Sequence, residues 1–179
     1  NESIQYINAV ADEIEQLVKA TGGHTAVLFT SYHTLRSVYD ILATKNLPYP
    51  MIQMTRTNKN AIDEFKRSGN GVLFASGTMW EGVNCVGDIL SSVIIVKLPF
   101  PLRTELLEQK KKECDSVPEF VQRYAVPQMV IKLRQGAGRL IRSETDTGVI
   151  AILDSRAAKG NRHRNRVLKA LNKYPLVNT

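Results

Sequence analysis

The chain has 179 residues and carries 24 lysines and arginines against 17 aspartates and glutamates, which gives a formal net charge of +7. Seven basic residues and no acidic ones follow Asp154, so the surplus lies in the C-terminal tail and the preceding part is formally neutral. This distribution excludes a uniformly basic, histone-like protein and predicts a balanced domain with a cationic end. The longest strongly apolar run, residues 93–96, is too short to cross a bilayer, so we expect no membrane segment.

The cysteines and histidines do not predict a metal site. Cys85 and Cys114 are the only cysteines, so they cannot form a disulfide framework or supply the four thiolates of a structural zinc site or an iron–sulfur cluster. The three histidines have neither metal-ligand spacing nor the pattern of a catalytic triad. We therefore expect a reduced, cytoplasmic protein. The first residue is Asn1 rather than Met, which suggests an excerpt from a longer polypeptide.

The hydrophobic pattern alternates between helical and strand-like segments. In chain order it predicts a helix at 2–20, a strand at Ala26–Phe29, a helix around Leu35–Leu42, a strand at Met51–Met54, a helix at about Asn58–Ser68, strands at Val72–Ala75 and Ser92–Leu98, helices at Leu102–Cys114 and Phe120–Arg142, a strand at Val149–Leu153 and a helix at Arg162–Leu171. Short apolar strands that alternate with helices are typical of a mainly parallel sheet covered on both faces. The sequence therefore predicts one three-layer α/β domain over 1–179, with ligands at the carboxyl ends of its strands.

The segment QGAGRLIR, which begins at Gln135, is the most informative one. On a helix, Gln135, Arg139 and Arg142 fall within roughly 60° of one another. Gly136 and Gly138 flank that face, where small residues let a backbone or a ligand approach closely. Paired arginines clamp phosphoryl oxygens and stabilise charge during phosphoryl transfer. The pattern therefore indicates a phosphate-directed site, and a solvated basic face with incidental glycines is the alternative.

Two other loops follow predicted strands. Trp80 is the only tryptophan, and among polar neighbours it could stack on a base or pack locally. Glu81 and Asn84 could orient a ribose, a water or a partner's arginine, although a glycine-rich connection is an equal alternative. Thr30 to Tyr32 precede a helix, where their hydroxyls and amides form either a phosphate contact or an ordinary N-cap. No G-x-x-x-x-G-K-[ST] loop for cradling phosphates is present in the sequence.

These segments resemble one family in their order along the chain. The segment from Gln135 resembles motif VI of superfamily 2 helicases, in the form used by the DinG/XPD-like helicases. Trp80–Asn84 resembles motif V, Leu28–Tyr32 is similar to motif IV, and Leu153–Arg156 matches the strand end that follows motif VI. The resemblance covers about residues 24–156.

The resemblance implies a RecA-like fold and the second, C-terminal motor domain of an ATP-driven machine that moves on single-stranded DNA. It implies that Arg139 and Arg142 are catalytic arginine fingers that reach the γ-phosphate of ATP. Gln135 and Gly138 would belong to the nucleotide-sensing segment. The implied partners are the single-stranded DNA and the N-terminal RecA-like domain of the same protein, which would hold most of the ATP and its Mg²⁺.

The resemblance also implies roles for the other loops. Glu81, Gly82 and Asn84 would couple the state of ATP to the grip on DNA, and this chain has Asn84 where the family usually has Asp. The residues that would contact nucleic acid are Thr30, Ser31, Tyr32, Thr78 and Trp80.

The phosphate-binding loop and the acidic Mg²⁺ motif belong to the first motor domain in this family, so we expect the chain alone not to hydrolyse ATP. Two alternatives remain open. One is a non-catalytic nucleic-acid-binding module that kept the helicase fold. The other is the regulatory ATPase half of a DinG-like exonuclease. The residues that precede Asn1 in the gene product would separate these functions.

Overall fold

A computed structural model describes residues 3–77, 80, 89–138 and 147–177. In chain order its elements are α1 (Ile4–Thr21), β1 (Thr25–Phe29), α2 (Tyr32–Thr44), β2 (Met51–Gln53), α3 (Ala61–Ser68), β3 (Val72–Ser76), β4 (Ser92–Ile95), α4 (Glu105–Lys112), α5 (Val117–Phe120), a π-helical turn (Val121–Ala125), α6 (Val126–Ala137), β5 (Val149–Ile152), a 3₁₀ turn (Ser155–Ala157) and α7 (Arg164–Ala170). The chain divides into two compact units, one of residues 1–97 with 136–154 and one of residues 98–135 with 155–179. Among the described helices, none is long and apolar enough to cross a membrane.

The first unit is built on a parallel sheet that has five strands within the described residues, in the order β2-β3-β1-β4-β5. Pairing continues slightly beyond the regular strands, since Val96 N donates to Leu28 O at 3.0 Å and Leu153 N donates to Ile95 O at 2.9 Å. The central strands are buried along their length, which is why their sequences are continuous apolar runs rather than alternating ones. The predicted α/β class with a mainly parallel sheet is confirmed.

One face of this sheet carries an extended cluster of buried apolar residues. Because side chains alternate along a strand, Val27 and Phe29 of β1 share a face with Phe74 of β3 and Ile94 of β4. Buried residues of α1 and α2 cover that face. The same alternation turns Leu28 toward the opposite face, where it is also fully buried.

The ends of α1 and α2 follow from local capping. Ser3 accepts a hydrogen bond from Tyr6 N at the start of α1, and Gly22 ends that helix with a φ of 66°, a left-handed conformation that glycine adopts without strain. The helix α2 begins at Tyr32, earlier than its apolar pattern indicates, because Ser31 caps it. A hydroxyl cap thus places the start of each helix, at Ile4 for α1 and at Tyr32 for α2.

The predicted continuous helix Phe120–Arg142 is wrong in its interior. The chain is α-helical from Val117 to Phe120, passes through a π-helical turn in which Val126 N donates to Val121 O, and becomes α-helical again at Val126. Pro127 explains the irregularity, since it lacks an N–H group and its ring clashes with the carbonyl one turn earlier. The final helical segment is described as far as Ala137, and the predicted end at Arg142 lies outside the described residues.

Candidate functional site

The carboxyl end of β1 leads directly into helix α2. Ser31 Oγ accepts a hydrogen bond from Thr34 N at 3.3 Å, and Ser31 O accepts one from Leu35 N at 3.1 Å. The N-cap alternative for Ser31 is therefore confirmed. Thr30 is partly buried, whereas Tyr32, the first residue of the helix, is 49% exposed. The first backbone N–H groups of α2 and an exposed phenol thus lie together at this end of the strand, and their contact with nucleic acid stays a prediction.

Trp80 is packed into the same end of the sheet. Its indole N–H donates to Phe29 O at 2.8 Å, and Gly77 N donates to the same oxygen at 3.2 Å. Only 8% of the tryptophan surface is exposed. The geometry is that of local packing, the second of the two alternatives the sequence left open. The indole faces are covered, so in this arrangement Trp80 is not available to stack on a base.

Gly136 lies against this tryptophan. A Cβ atom at position 136 would lie 3.3 Å from Trp80 Cζ3 and 3.4 Å from Leu28 Cδ1. Such distances are tight for a Cβ contact, so the helix approaches the ring closely because residue 136 has no side chain. The sequence pattern predicted that a backbone or a ligand approaches closely here, whereas in the structure it is the side chain of the protein's own tryptophan that does so.

The other motif VI residues divide between described and undescribed positions. Gln135 is exposed on the last turn of α6, and Gly138 is an exposed turn residue directly after it. The predicted residues that lie outside the described part are Thr78, Glu81, Gly82, Asn84, Arg139 and Arg142. Their roles, and the shared helical face of Gln135 with the two arginines, stay predictions.

The sequence alone assigned no role to two polar residues at the carboxyl ends of strands. Lys97 follows β4, and its Nζ lies 4.8 Å from the centroid of the Tyr6 ring on α1. Asp154 follows β5 and is 9% exposed. Their position directly after apolar strands was the available signal. Burial on the sheet, rather than sequence spacing, distinguishes Asp154 from the surface carboxylates.

The two units differ in charge. By sequence the second unit holds fourteen lysines and arginines against five acidic residues, and the first holds ten against twelve, which together make the 24 and 17 of the chain. In the second unit, Arg134 Nε donates to Ala170 O at 3.3 Å, and Arg166 hydrogen-bonds Gln122. Most of this excess lies in residues 155–179, which hold seven basic and no acidic residues, whereas residues 98–135 hold seven basic and five acidic ones. Ordered side chains of α6 and α7 contribute to it.

Neither the described acidic residues nor the described thiol indicates a metal site. Among the described residues, no group of three or more His, Cys, Asp or Glu side chains comes together. Cys114 Sγ donates to Lys110 O at 3.2 Å, and desolvation raises the pKa of this thiol above its ordinary value. A thiol with a raised pKa is a poor nucleophile and a poor metal ligand at neutral pH.

Comparison with known proteins places this site in a family context. The model of a helicase C-terminal domain matches residues 14–174, which include parts of both units. The chain is 34% identical over 161 residues to the ATP-dependent DNA helicase YoaA of Haemophilus influenzae, covering 87% of this chain and 24% of the relative. It is 34% identical over 163 residues to the 3'-5' exonuclease DinG of Bacillus subtilis, covering 85% of this chain and 17% of the relative. The chain therefore spans a quarter or less of these relatives.

The fold is also shared with solved structures. A structure of apo XPD matches with a TM-score of 0.70 at 18% identity, over 91% of this chain and 33% of that protein. The structure of Xpd4 from S. tokodaii matches with a TM-score of 0.63 at 18% identity, over 93% and 32%. At this identity the likeness establishes the architecture of the chain.

Proposed function

Since the chain belongs to the family of helicase C-terminal domains, we propose that it is the second motor domain of an ATP-dependent DNA helicase of the DinG type. In this proposal Arg139 and Arg142 act as arginine fingers on the γ-phosphate of ATP. Another RecA-like domain of the same protein holds the remaining phosphates and the Mg²⁺. Single-stranded DNA is the track along which the two domains move.

The observation that carries the proposal is the contact of Gly136 with Trp80 and Leu28. It puts the end of helix α6 against the carboxyl end of β1, the edge at which parallel α/β sheets bind their ligands. Arg139 and Arg142 follow this end of the helix within six residues of Gly136 in the sequence. This position of Gly136 supports a role at that edge of the sheet for the residues that follow it in the sequence.

In this proposal the chain's own residues contribute to catalysis by electrostatic stabilisation. A guanidinium group donates two parallel hydrogen bonds to phosphoryl oxygens, and an arginine finger contributes about 10³ to 10⁵ in rate by stabilising charge in the transition state. The exposed amide of Gln135 is available to sense the nucleotide. Glu81, Gly82 and Asn84 would couple that event to the DNA contacts of Thr30 to Tyr32 and Thr78.

The experiment that tests this proposal compares the chain alone with a protein that joins it to a first motor domain. ATP hydrolysis is measured with and without single-stranded DNA. We expect no turnover by the chain alone and DNA-stimulated turnover by the joined protein. Turnover by the isolated chain, or DNA-independent turnover by the joined protein, contradicts the proposal.

A second candidate function is favoured by one relative, the B. subtilis protein named a 3'-5' exonuclease. In that case the ATP-binding half regulates cutting rather than unwinding. A partial duplex in which one strand is labelled at its 5′ end separates the two functions, because an exonuclease shortens the labelled strand from its 3′ end and a helicase releases it intact.

A further inference from the structure

Three segments that are distant from one another in sequence meet at one residue, Trp80. The indole N–H is bonded to Phe29 O at the end of β1. The backbone N of Trp80 donates to Gly77 O at 3.4 Å, which ties the residue to the end of β3. The six-membered part of the ring lies against Gly136 of α6.

The indole is therefore held by the sheet through its N–H group, and its six-membered ring limits how closely Gly136 can approach. Its hydrogen bond to a strand carbonyl fixes the indole relative to the sheet, whose central strands are fully buried and rigidly packed. The side chain of Leu28, on strand β1, also lies against Gly136. Two features thus set the distance between the end of α6 and the sheet. On the sheet side it is the ring of Trp80, and on the helix side it is the absence of a side chain at Gly136.

We propose that Trp80 is a positioning residue for ATP hydrolysis, which acts by fixing the position of Gly136, three residues before Arg139 in the sequence. The inference rests on the proposed function, because it acts through the finger arginines. Trp80 itself touches neither nucleotide nor DNA in this role. Its effect on catalysis comes from the sensitivity of phosphoryl transfer to misplacement, where an error of 1 Å costs on the order of 100-fold.

The test uses the protein that contains this chain together with its first motor domain, and it separates kcat from KM. We expect Trp80→Phe to lower kcat for ATP by about tenfold with little change in KM, since finger residues act mainly in the transition state. The matched control is Phe74→Leu, which trims a buried aromatic residue beside Phe29 and Tyr39 on the other face of the sheet. We expect this control to lower the melting temperature while leaving kcat near the native value.

A double-mutant cycle tests whether the effect passes through Gly136. Gly136→Ala adds a methyl group that pushes on the indole, so we expect it to lower kcat several-fold in the native background. In the Trp80→Phe background the smaller ring leaves room for the methyl group, and the same change is expected to have no further effect. Strictly additive effects on log kcat overturn the inference. So does a Trp80→Phe enzyme whose kcat falls no further than that of Phe74→Leu.

Arg139→Ala in the same assay separates this inference from the proposed function. If Arg139→Ala turns over normally, the proposed function itself fails. If Arg139→Ala is inactive while Trp80→Phe behaves like its control, only the positioning role of Trp80 fails. Should Trp80→Phe not fold, Gly136→Ala alone carries the test, because it crowds the ring without removing any group, and native kcat in that variant overturns the inference.

Discussion

The indole N–H of Trp80 and the Gly77 backbone N–H share one acceptor, the carbonyl oxygen of Phe29, at 2.8 and 3.2 Å. This pair of bonds closes the loop after β3 onto the end of β1. The ring of Trp80 then supports Gly136 at the end of α6. A loop, a strand end and a helix end are thus joined through a single backbone carbonyl.

The first prediction concerns the stability of this junction. Trp80→Phe removes the N–H donor but leaves Phe29 O bonded to Gly77, so the carbonyl does not become unsatisfied. We expect a loss of about 1 kcal/mol in the free energy of unfolding from the hydrogen bond, and somewhat more from the smaller ring. Urea denaturation followed by circular dichroism measures the loss. An unchanged midpoint would show that the bond contributes nothing.

The second prediction concerns the catalytic assignment of Arg139. In the protein that contains both motor domains, we expect Arg139→Ala to reduce DNA-stimulated ATP turnover by about 10³-fold or more and to leave DNA affinity largely unchanged. Arg134→Ala is the matched control, because it removes the same group from the same part of the chain, where Arg134 bonds Ala170 O. Comparable losses in both variants would contradict a finger role for Arg139.

The third prediction separates capping from DNA contact at Ser31. Ser31→Ala removes the acceptor of Thr34 N–H, so we expect the free energy of unfolding to fall by about 1 kcal/mol. Ser31→Asp keeps a capping oxygen but places a negative charge where a phosphate would approach. We therefore expect Ser31→Asp to retain stability and to weaken DNA binding.

The control for Ser31 is the equivalent cap of α1. Ser3→Asp makes the same chemical change at a residue that accepts from Tyr6 N at 3.2 Å. We expect this variant to keep both stability and DNA affinity. If Ser31→Asp binds single-stranded DNA as tightly as Ser3→Asp, the DNA contact at Ser31 is ruled out and its role is capping alone.

The fourth prediction concerns the cationic second unit. Replacing Arg162, Arg164 and Arg166 with glutamine is expected to weaken binding of single-stranded DNA modestly. The slope of log affinity against log salt should fall by about 0.7 for each phosphate contact that is lost. Fluorescence anisotropy of a labelled oligonucleotide over a salt series gives both quantities.

The matched control removes as much charge from the first unit. Lys59, Lys66 and Arg67 are exposed residues in and before α3, and they are replaced with glutamine together. We expect a smaller change in the salt slope for this variant. Equal changes would mean that net charge matters and its location does not.

The fifth prediction is a pH dependence of the α1–α2 contact. Glu15 accepts hydrogen bonds from Lys19 at 2.6 Å and from Lys45 at 2.5 Å, which lower the pKa of Glu15 below its ordinary value. A carboxyl group whose pKa is lowered in the folded state stabilises the fold at pH values above its ordinary pKa. This contribution disappears as the pH falls through the lowered pKa. Glu15→Gln should therefore be less stable than the native protein at neutral pH, and the difference should vanish in acid. Glu13→Gln, an exposed change on the same helix, should show no such difference.

The order of elements and the class of the fold could be predicted from local patterns. The apolar runs in β1, β3 and β4 are continuous because these strands are buried on both faces, and that burial leaves a signal in single residues. The motif VI segment could also be recognised locally, because its glutamine, glycines and arginines lie within one short stretch of sequence. The interior of the predicted Phe120–Arg142 helix was wrong, since the π-helical turn depends on how Pro127 is accommodated rather than on a pattern.

Local patterns along the chain were enough to predict the α/β class, most of the strands and helices and the resemblance to a family, because hydrophobic periodicity and motif residues are properties of short segments. The folded structure was needed to show that Trp80 is buried under Gly136 instead of exposed for stacking. It also showed that the basic stretch 155–179 forms one compact unit with residues 98–135. Both outcomes depend on which distant segments come together. That choice is made by packing and by backbone hydrogen bonds such as the one to Phe29 O, and no single stretch of sequence encodes it.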